Sequence, residues 1–594
     1  SNTTANHNTG VGYNALSANT TGFSNTAIGS NGVLSANTTG SNNVAVGYNS
    51  LDTNTTASGN VAVGSNSLTS NTTGGSNIAV GQQALNSNTT AGNNTAVGYQ
   101  AGYSNTTATN VTAIGYRSLF SSTAAYQTAV GTEALNTAST GNFNTAVGWR
   151  ASYLISTGTD NTSVGHGVLY NTTTGSNNIA FGGDTMRFNT TGSYNTALGK
   201  EALSRNTTAS NNTAVGYQAG YSNTTGADNV FVGNSAGRLN TVSSSITAVG
   251  AGAAQHNTAH NTTAFGYRSL YNNTTGNGNV GLGKQTLYSN TTGTSNTAIG
   301  TYDQGAVVSS LFNNTTGSYN VAMGNGSLFS NTTASNNVAV GYQSLYHNTG
   351  VDNTALGYQS LFANTTGVDN SAFGRSALAL NTTGSNNNAF GYTALYANTT
   401  GHSNIAIGKE ALRYNTTAGN NTAVGYRAGY SNTTGANNTA IGEGSLYNNT
   451  ASDNTALGVS ALNGNTTGTH NIGIGRRPLL SNTSGIHNVS MGTDALRSNT
   501  TGSDNVTVGY QAGYSNTTAN NNTFVGENAG YSNTTSGLQA FFGEYAGRST
   551  TGDRNTFIGQ QAGWQVTSGQ KNTILGRYNG NQHGLDIRTS NNNI

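Results

Sequence analysis

A chain of 594 residues with 6% charged residues, net charge +2, 82 glycines, one proline and no cysteine is not a set of ordinary globular domains, where about a quarter of residues are charged. Abundant Gly, Asn and Thr exclude a helical protein, the lack of a G-X-Y period excludes collagen, and the absence of cysteine excludes disulfide stapling and thiolate chemistry. Near-neutral charge gives no basis for binding nucleic acid, and no apolar run reaches the length of a membrane span.

The chain opens on Ser1-Asn2-Thr3-Thr4-Ala5, the tail of a unit whose start is missing, so a longer polypeptide is expected to precede it. The tetrad Val44-Ala45-Val46-Gly47 then recurs with closing glycines at Gly64, Gly81, Gly98 and Gly115, a step of 17 residues. About 34 copies run from Gly12 to Gly576. The unit reads N-[TVI]-A-[VIL]-G-Y-x-[AS]-L-x-x-N-T-T-[GA]-x-x. Steps of 16 end at Gly131, Gly266, Gly357, Gly458 and Gly559, and one of 24 separates Gly300 from Gly324 around an insert at 301–312.

Disorder does not keep one phase over so many cycles. Seventeen residues are too few for a helix pair and suit one coil of a β-solenoid, with two short strands and two turns. Residues 1–576 are therefore predicted to be an all-β solenoid, or β-roll, and 577–594 a C-terminal connector. Coils stacked at about 4.8 Å would make a rod of roughly 160 Å.

Strand alternation sets the faces. Val44 and Val46 share one face, and the bulky third position is expected to point inward. Leu51, Leu68, Leu85 and Leu119, four residues after the glycine, are expected to close the core. The middle residues Ala45, Ala62, Ala79 and Ala96 are then expected to face outward, with Phe524, Phe541 and Phe557 replacing alanine near the C-terminal end. A small apolar outward stripe predicts packing against further copies of the chain, three-fold symmetry being preferred. The alternative is that alanine only keeps the surface flat.

In stacked coils the in-phase Asn and Thr are expected to form ladders along the stack. Asn54, Asn71, Asn88 and Asn105 are also formal N-T-T glycosylation acceptors, although the ladder reading is preferred. Tyr48, Tyr99, Tyr116, Trp149 and Tyr217 follow the closing glycine. Their rings are expected to pack on one another or on a neighbouring chain, with stacking on sugars as the alternative. His256 and His260 are the one close histidine pair and lack a third ligand. No catalytic constellation, metal site or cofactor site is expected. Asp303 is the single acid in the long insert.

On the quoted tetrad, the N-T-T-G units and the final Tyr578-Asn579-Gly580-Asn581-Gln582-His583-Gly584-Leu585-Asp586-Ile587-Arg588, the chain resembles the repeat region of bacteriophage tail fibres, especially of aquatic phages, which often precede an intramolecular chaperone. The tetrad is also similar to the head repeats of bacterial trimeric autotransporter adhesins, whose units are shorter. Both resemblances imply a homotrimer, and the second a left-handed roll. They imply a structural fibre in an extracellular virion tail rather than an enzyme. Such a shaft holds a host-binding tip outside this chain against a cell-surface glycan or receptor, with weak carbohydrate contact along its own length. A trimeric surface adhesin and a glycosylated extracellular filament are the alternatives.

Overall fold

The computed structural model describes residues 4–300, 308–582, 585, 586 and 588–592; Ser1 to Thr3, Asp303 and His583 lie outside this set. The chain forms two compact units, Ser1–Ser295 and Asn296–Ile594. The first holds seventeen three-residue strands, from β1 (Thr9–Val11) to β17 (Val280–Leu282). The second holds seventeen more, from β18 (Thr297–Ile299) to β34 (Thr573–Leu575), then an antiparallel pair, β35 (Asn581–Gln582) and β36 (Leu585–Asp586). Within each unit successive strands pair in parallel. Val44, Ala45 and Val46 lie opposite Val61, Ala62 and Val63, 17 residues on. Both units are parallel β-solenoids.

Among the described residues each solenoid coil carries one strand, not the two expected. The rest of the coil is turn, because it visits left-handed backbone repeatedly: φ is +52° at Asn49, +52° at Leu51 and +73° at Gly59. Extended pairing cannot pass through such residues. The turns still hydrogen-bond from coil to coil. Leu51 N–H donates to the Ser67 carbonyl at 2.9 Å and Thr55 N–H to the Thr72 carbonyl at 3.0 Å. A left-handed Leu costs about 1–2 kcal/mol. Burying its side chain returns about 1.5–3 kcal/mol, so leucine is retained where the core has room for it.

Each strand ends at a glycine of necessity. Gly47 has φ +127°, and a Cβ there would fall 2.7 Å from the Gly64 carbonyl oxygen of the next coil. The glycines stack as a column that admits no side chain.

The core reverses the expected faces. Ala45, Ala62, Ala79 and Ala96 are completely buried inside their own chain, as are Phe524, Phe541 and Phe557. The first and third strand residues are the outward ones: Val44 and Val46 are half-buried on either side of Ala45. The cause is the width of the coil. The strand lies close to the opposite turn, whose Leu51 and Ser50 side chains fill the interior, and only a small residue, usually alanine, fits against them. The alanines and C-terminal phenylalanines therefore cannot form a surface between chains. The leucines do close the core as expected: Leu51, Leu68, Leu85 and Leu119 are all buried.

Two asparagine ladders run through the interior. Asn71 Nδ2 donates to Asn54 Oδ1 at 2.9 Å and to the Gly74 carbonyl at 2.9 Å, and Asn88 Nδ2 donates to Asn71 Oδ1 at 2.8 Å. In the second ladder the backbone N–H of Asn60 donates to Asn43 Oδ1 and that of Asn77 to Asn60 Oδ1, both at 2.9 Å. Threonine adds a third on the partly exposed side, with Thr55 Oγ1 donating to the Thr72 carbonyl at 3.1 Å. These bonds satisfy polar groups that would each cost free energy if buried alone.

Irregular steps leave the register intact. At a 16-residue step the asparagine reaches a carbonyl two residues on, as from Asn348 to Gly350, instead of three, as from Asn54 to Ala57. The turn therefore loses one threonine, and the strand loses nothing. Across the 24-residue step Thr297 still pairs with Val321. After the last solenoid strand the connector continues the coil-to-coil bonding. Gly563 N–H donates to the Tyr578 carbonyl at 2.7 Å and Thr567 N–H to the Arg588 carbonyl at 2.8 Å.

Candidate binding surface

The outward strand face is an apolar stripe in both units. In the first, Phe181 is 50% exposed, Leu198 48% and Phe265 52%. In the second, Leu356, Ile407 and Ile558 stand at the same third position, each more than 40% exposed. Phe373 and Phe390 stack on this face with centroids 4.6 Å apart.

Beyond the closing glycine lie two aromatic ladders. The first contains the tyrosines singled out in the sequence. Tyr48, Tyr99, Tyr116, Trp149 and Tyr217 are all 39–50% exposed. Where consecutive coils both carry tyrosine the rings stack, as for Tyr99 and Tyr116 at 5.4 Å and Tyr342 and Tyr358 at 5.3 Å. Elsewhere a cation or amide fills in: Arg150 lies 4.7 Å over Trp149, and Asn31 Nδ2 donates to the Tyr48 hydroxyl at 3.0 Å. The second ladder, five residues after the glycine, escaped the sequence reading. It includes Tyr103 with Phe120 at 5.3 Å and Tyr153 with Tyr170 at 5.1 Å. Its signal was the aromatic residue after the buried leucine in many, but not all, copies.

Between the ladders runs a polar column, two residues after each glycine. Neighbouring coils match in charge there. Glu133 pairs with Arg150 at 2.6 Å, Glu410 with Arg427 at 2.6 Å and Arg477 with Asp494 at 2.9 Å. The hydrogen bond from Arg427 holds the Glu410 carboxyl below the usual carboxylate range, against the opposing effect of burial. The same kind of bond raises the Arg150 and Arg427 guanidiniums further.

Asn54, Asn71, Asn88 and Asn105 lie inside the coils, at most 2% exposed, with their amide nitrogens donating along the ladder. A glycan on such a nitrogen would displace these bonds and the next coil, so the folded chain has no room for one there. His256 and His260 do not converge: the first packs edge-on to Tyr271 at 4.9 Å, and the Nδ1 of the second accepts from Ser244 N–H at 3.0 Å. Among the described residues no group of three or more His, Asp and Glu could hold a metal ion, and no helix is long and apolar enough to cross a membrane.

No protein-family model and no curated protein matches this chain.

Proposed function

We propose that this chain is a structural fibre segment that works as a homotrimer, with the outward strand faces of three copies packed on one another. The observation that carries this reading is the apolar stripe of third-position side chains, Phe181, Leu198 and Phe265 in one unit and Leu356, Ile407 and Ile558 in the other. Contiguous apolar surface of this kind marks contact with another molecule. Its periodicity matches an identical partner in register, coil against coil. The trimer expected from the sequence thus rests on the residues flanking the alanines, not on the alanines.

Continuous ladders suit a load-bearing shaft, since each coil is tied to the next by strand, turn and side-chain bonds. The resemblance of the repeat and connector to phage tail fibres supports a shaft that holds a host-binding tip. Multi-angle light scattering on the purified chain tests the assembly. The expected mass is three times 60.3 kDa. A monomer would overturn the reading. Antibody labelling of virions and of bacterial surfaces separates a tail fibre from a surface adhesin.

A further inference from the structure

Along an unbroken aromatic ladder, ring stacks on ring and no face is free for a ligand. Two of the breaks in the ladders share one arrangement. At Gly444 and at Gly252 glycine occupies the polar column, where other coils carry Gln, Arg or Glu, and a shallow cleft opens between the two ladders. The first cleft holds about 200 Å³ and the second about 140 Å³. At the equivalent Gly167 the column is closed more tightly: Asp184 Oδ1 stands 2.8 Å from where a Cβ would be, against 3.3 Å to Asn463 Nδ2 at Gly444.

Both clefts are built from one set of parts. Each has a tyrosine followed by an arginine, Tyr426-Arg427 and Tyr267-Arg268, with the guanidinium 5.0 and 5.1 Å from the ring centroid. Each tyrosine has a lysine on the coil away from the cleft, Lys409 at 5.7 Å and Lys284 at 5.9 Å. On the cleft side no ring continues the stack, because the next coil carries Glu443 or Ala251 at that position. At Gly444 the floor is fixed by Asn463 Nδ2, which donates to the Gly444 carbonyl at 2.8 Å. Glu443, Arg427 and Ser460 supply acceptors and donors around it.

We propose that these clefts, foremost the one at Gly444, are subsites for a single neutral pyranose ring. An uncovered aromatic face beside mixed donors and acceptors suits the C–H face and hydroxyls of a sugar. At the Gly444 cleft a free anion is disfavoured, because the Arg427 charge is already matched by Glu410 at 2.6 Å. The volume admits one ring, well below the size of ordinary ligand pockets. Each cleft is formed by three neighbouring coils of one chain, so the proposal stands whether or not the chain is a fibre.

Saturation-transfer NMR with the methyl glycosides of glucose, galactose and mannose tests it on the whole chain. At least one should receive saturation on its ring C–H protons at about 20 mM, the affinity scale of a single weak subsite. The double variant Gly444→Gln, Gly252→Gln should abolish the transfer. It should still fold, because Gln already occupies this column with φ near +53° at Gln511. The pair Tyr426→Ala, Tyr267→Ala should weaken binding about five- to tenfold. Circular dichroism verifies the fold of each variant. Absence of transfer in the wild type, or transfer unchanged in the folded glycine-to-glutamine variant, would overturn the proposal.

Discussion

The ring of Phe231 occupies the space that a side chain at Gly237 would need: a Cβ built on Gly237 falls 2.1 Å from the ring. Phe231 is the middle strand residue, where alanine is usual, and Gly237 stands where leucine is usual. The two positions face each other across the coil and share one volume. Gly237→Ala should therefore destabilise its coil by about 2–3 kcal/mol through overpacking. The left-handed φ of +57° adds about 1–2 kcal/mol of its own, a cost that leucine bears at the same position elsewhere. Phe231→Ala alone leaves a cavity worth about 3–5 kcal/mol. The double variant Phe231→Ala, Gly237→Leu recreates the usual coil and should recover most of both losses. Native-state hydrogen exchange over 229–253 reads all three; additive losses would refute the shared volume.

This pairing also shows what the sequence made legible. The closing glycines give the period, and the period gives parallel stacking. Alternation alone does not say which face is inside. The usual preference for bulky residues inside assigns Val46 inward, and the structure reverses it because the coil is too narrow. The deciding clue was in the chain: Phe524, Phe541 and Phe557 are followed six residues later by Gly530, Gly547 and Gly563. Such compensation requires the middle position to face the core. The absence of a second strand was not legible because left-handed Leu51 is a conformation that apolar residues rarely adopt. The clefts were not legible because Gly444 and Gly167 look alike in sequence and differ only in what the next coil places over them.

The reversed faces separate two substitutions one residue apart. Ala45→Lys puts an ammonium into a fully buried site and should unfold the coils around it, with protection lost over roughly 40–65. Val46→Lys, at a half-buried outward site, should leave exchange protection there nearly unchanged. Lysine at the more exposed Phe181 and Leu198 together should lower the light-scattering mass while the circular dichroism spectrum stays the same. If Ala45→Lys were the substitution that dissociated folded chains, the face assignment would be wrong.

The inner asparagine ladder should tolerate little change. Asn71→Ala removes two donated bonds and leaves Asn54 Oδ1 buried without its donor, a loss of about 2–3 kcal/mol. Asn71→Asp has the same shape but replaces the donating nitrogen by an oxygen facing Asn54 Oδ1 and the Gly74 carbonyl. It should therefore be the more damaging at neutral pH, despite conserving volume. Urea unfolding followed by tyrosine fluorescence ranks the two. Equal midpoints would mean that the ladder acts through packing rather than through its donors.

The charge column makes a pH-dependent prediction with a definite sign. Glu410 accepts from Arg427 at 2.6 Å and from Arg413 at 2.9 Å, and its carboxyl titrates below the ordinary range. A carboxyl that binds its proton more weakly folded than unfolded adds stability that is complete above the unfolded value, about 4.3, and vanishes as pH falls through the folded value. Wild type and Glu410→Gln should thus differ at pH 7 and converge on acidification below about pH 4. The difference is small, about 1 °C or less in thermal midpoint, because both arginines are partly exposed and screened by solvent. Its larger consequence is register. Slipping the stack by one coil would take Arg427 away from Glu410 and Arg150 away from Glu133, whereas the repeated Asn and Thr ladders would re-form unchanged. The charge-reversed pair Glu410→Arg, Arg427→Glu should recover part of the loss caused by either reversal alone, the remainder being the like charge that Arg413 then faces. A midpoint indifferent to all three would assign register to the aromatic ladders instead.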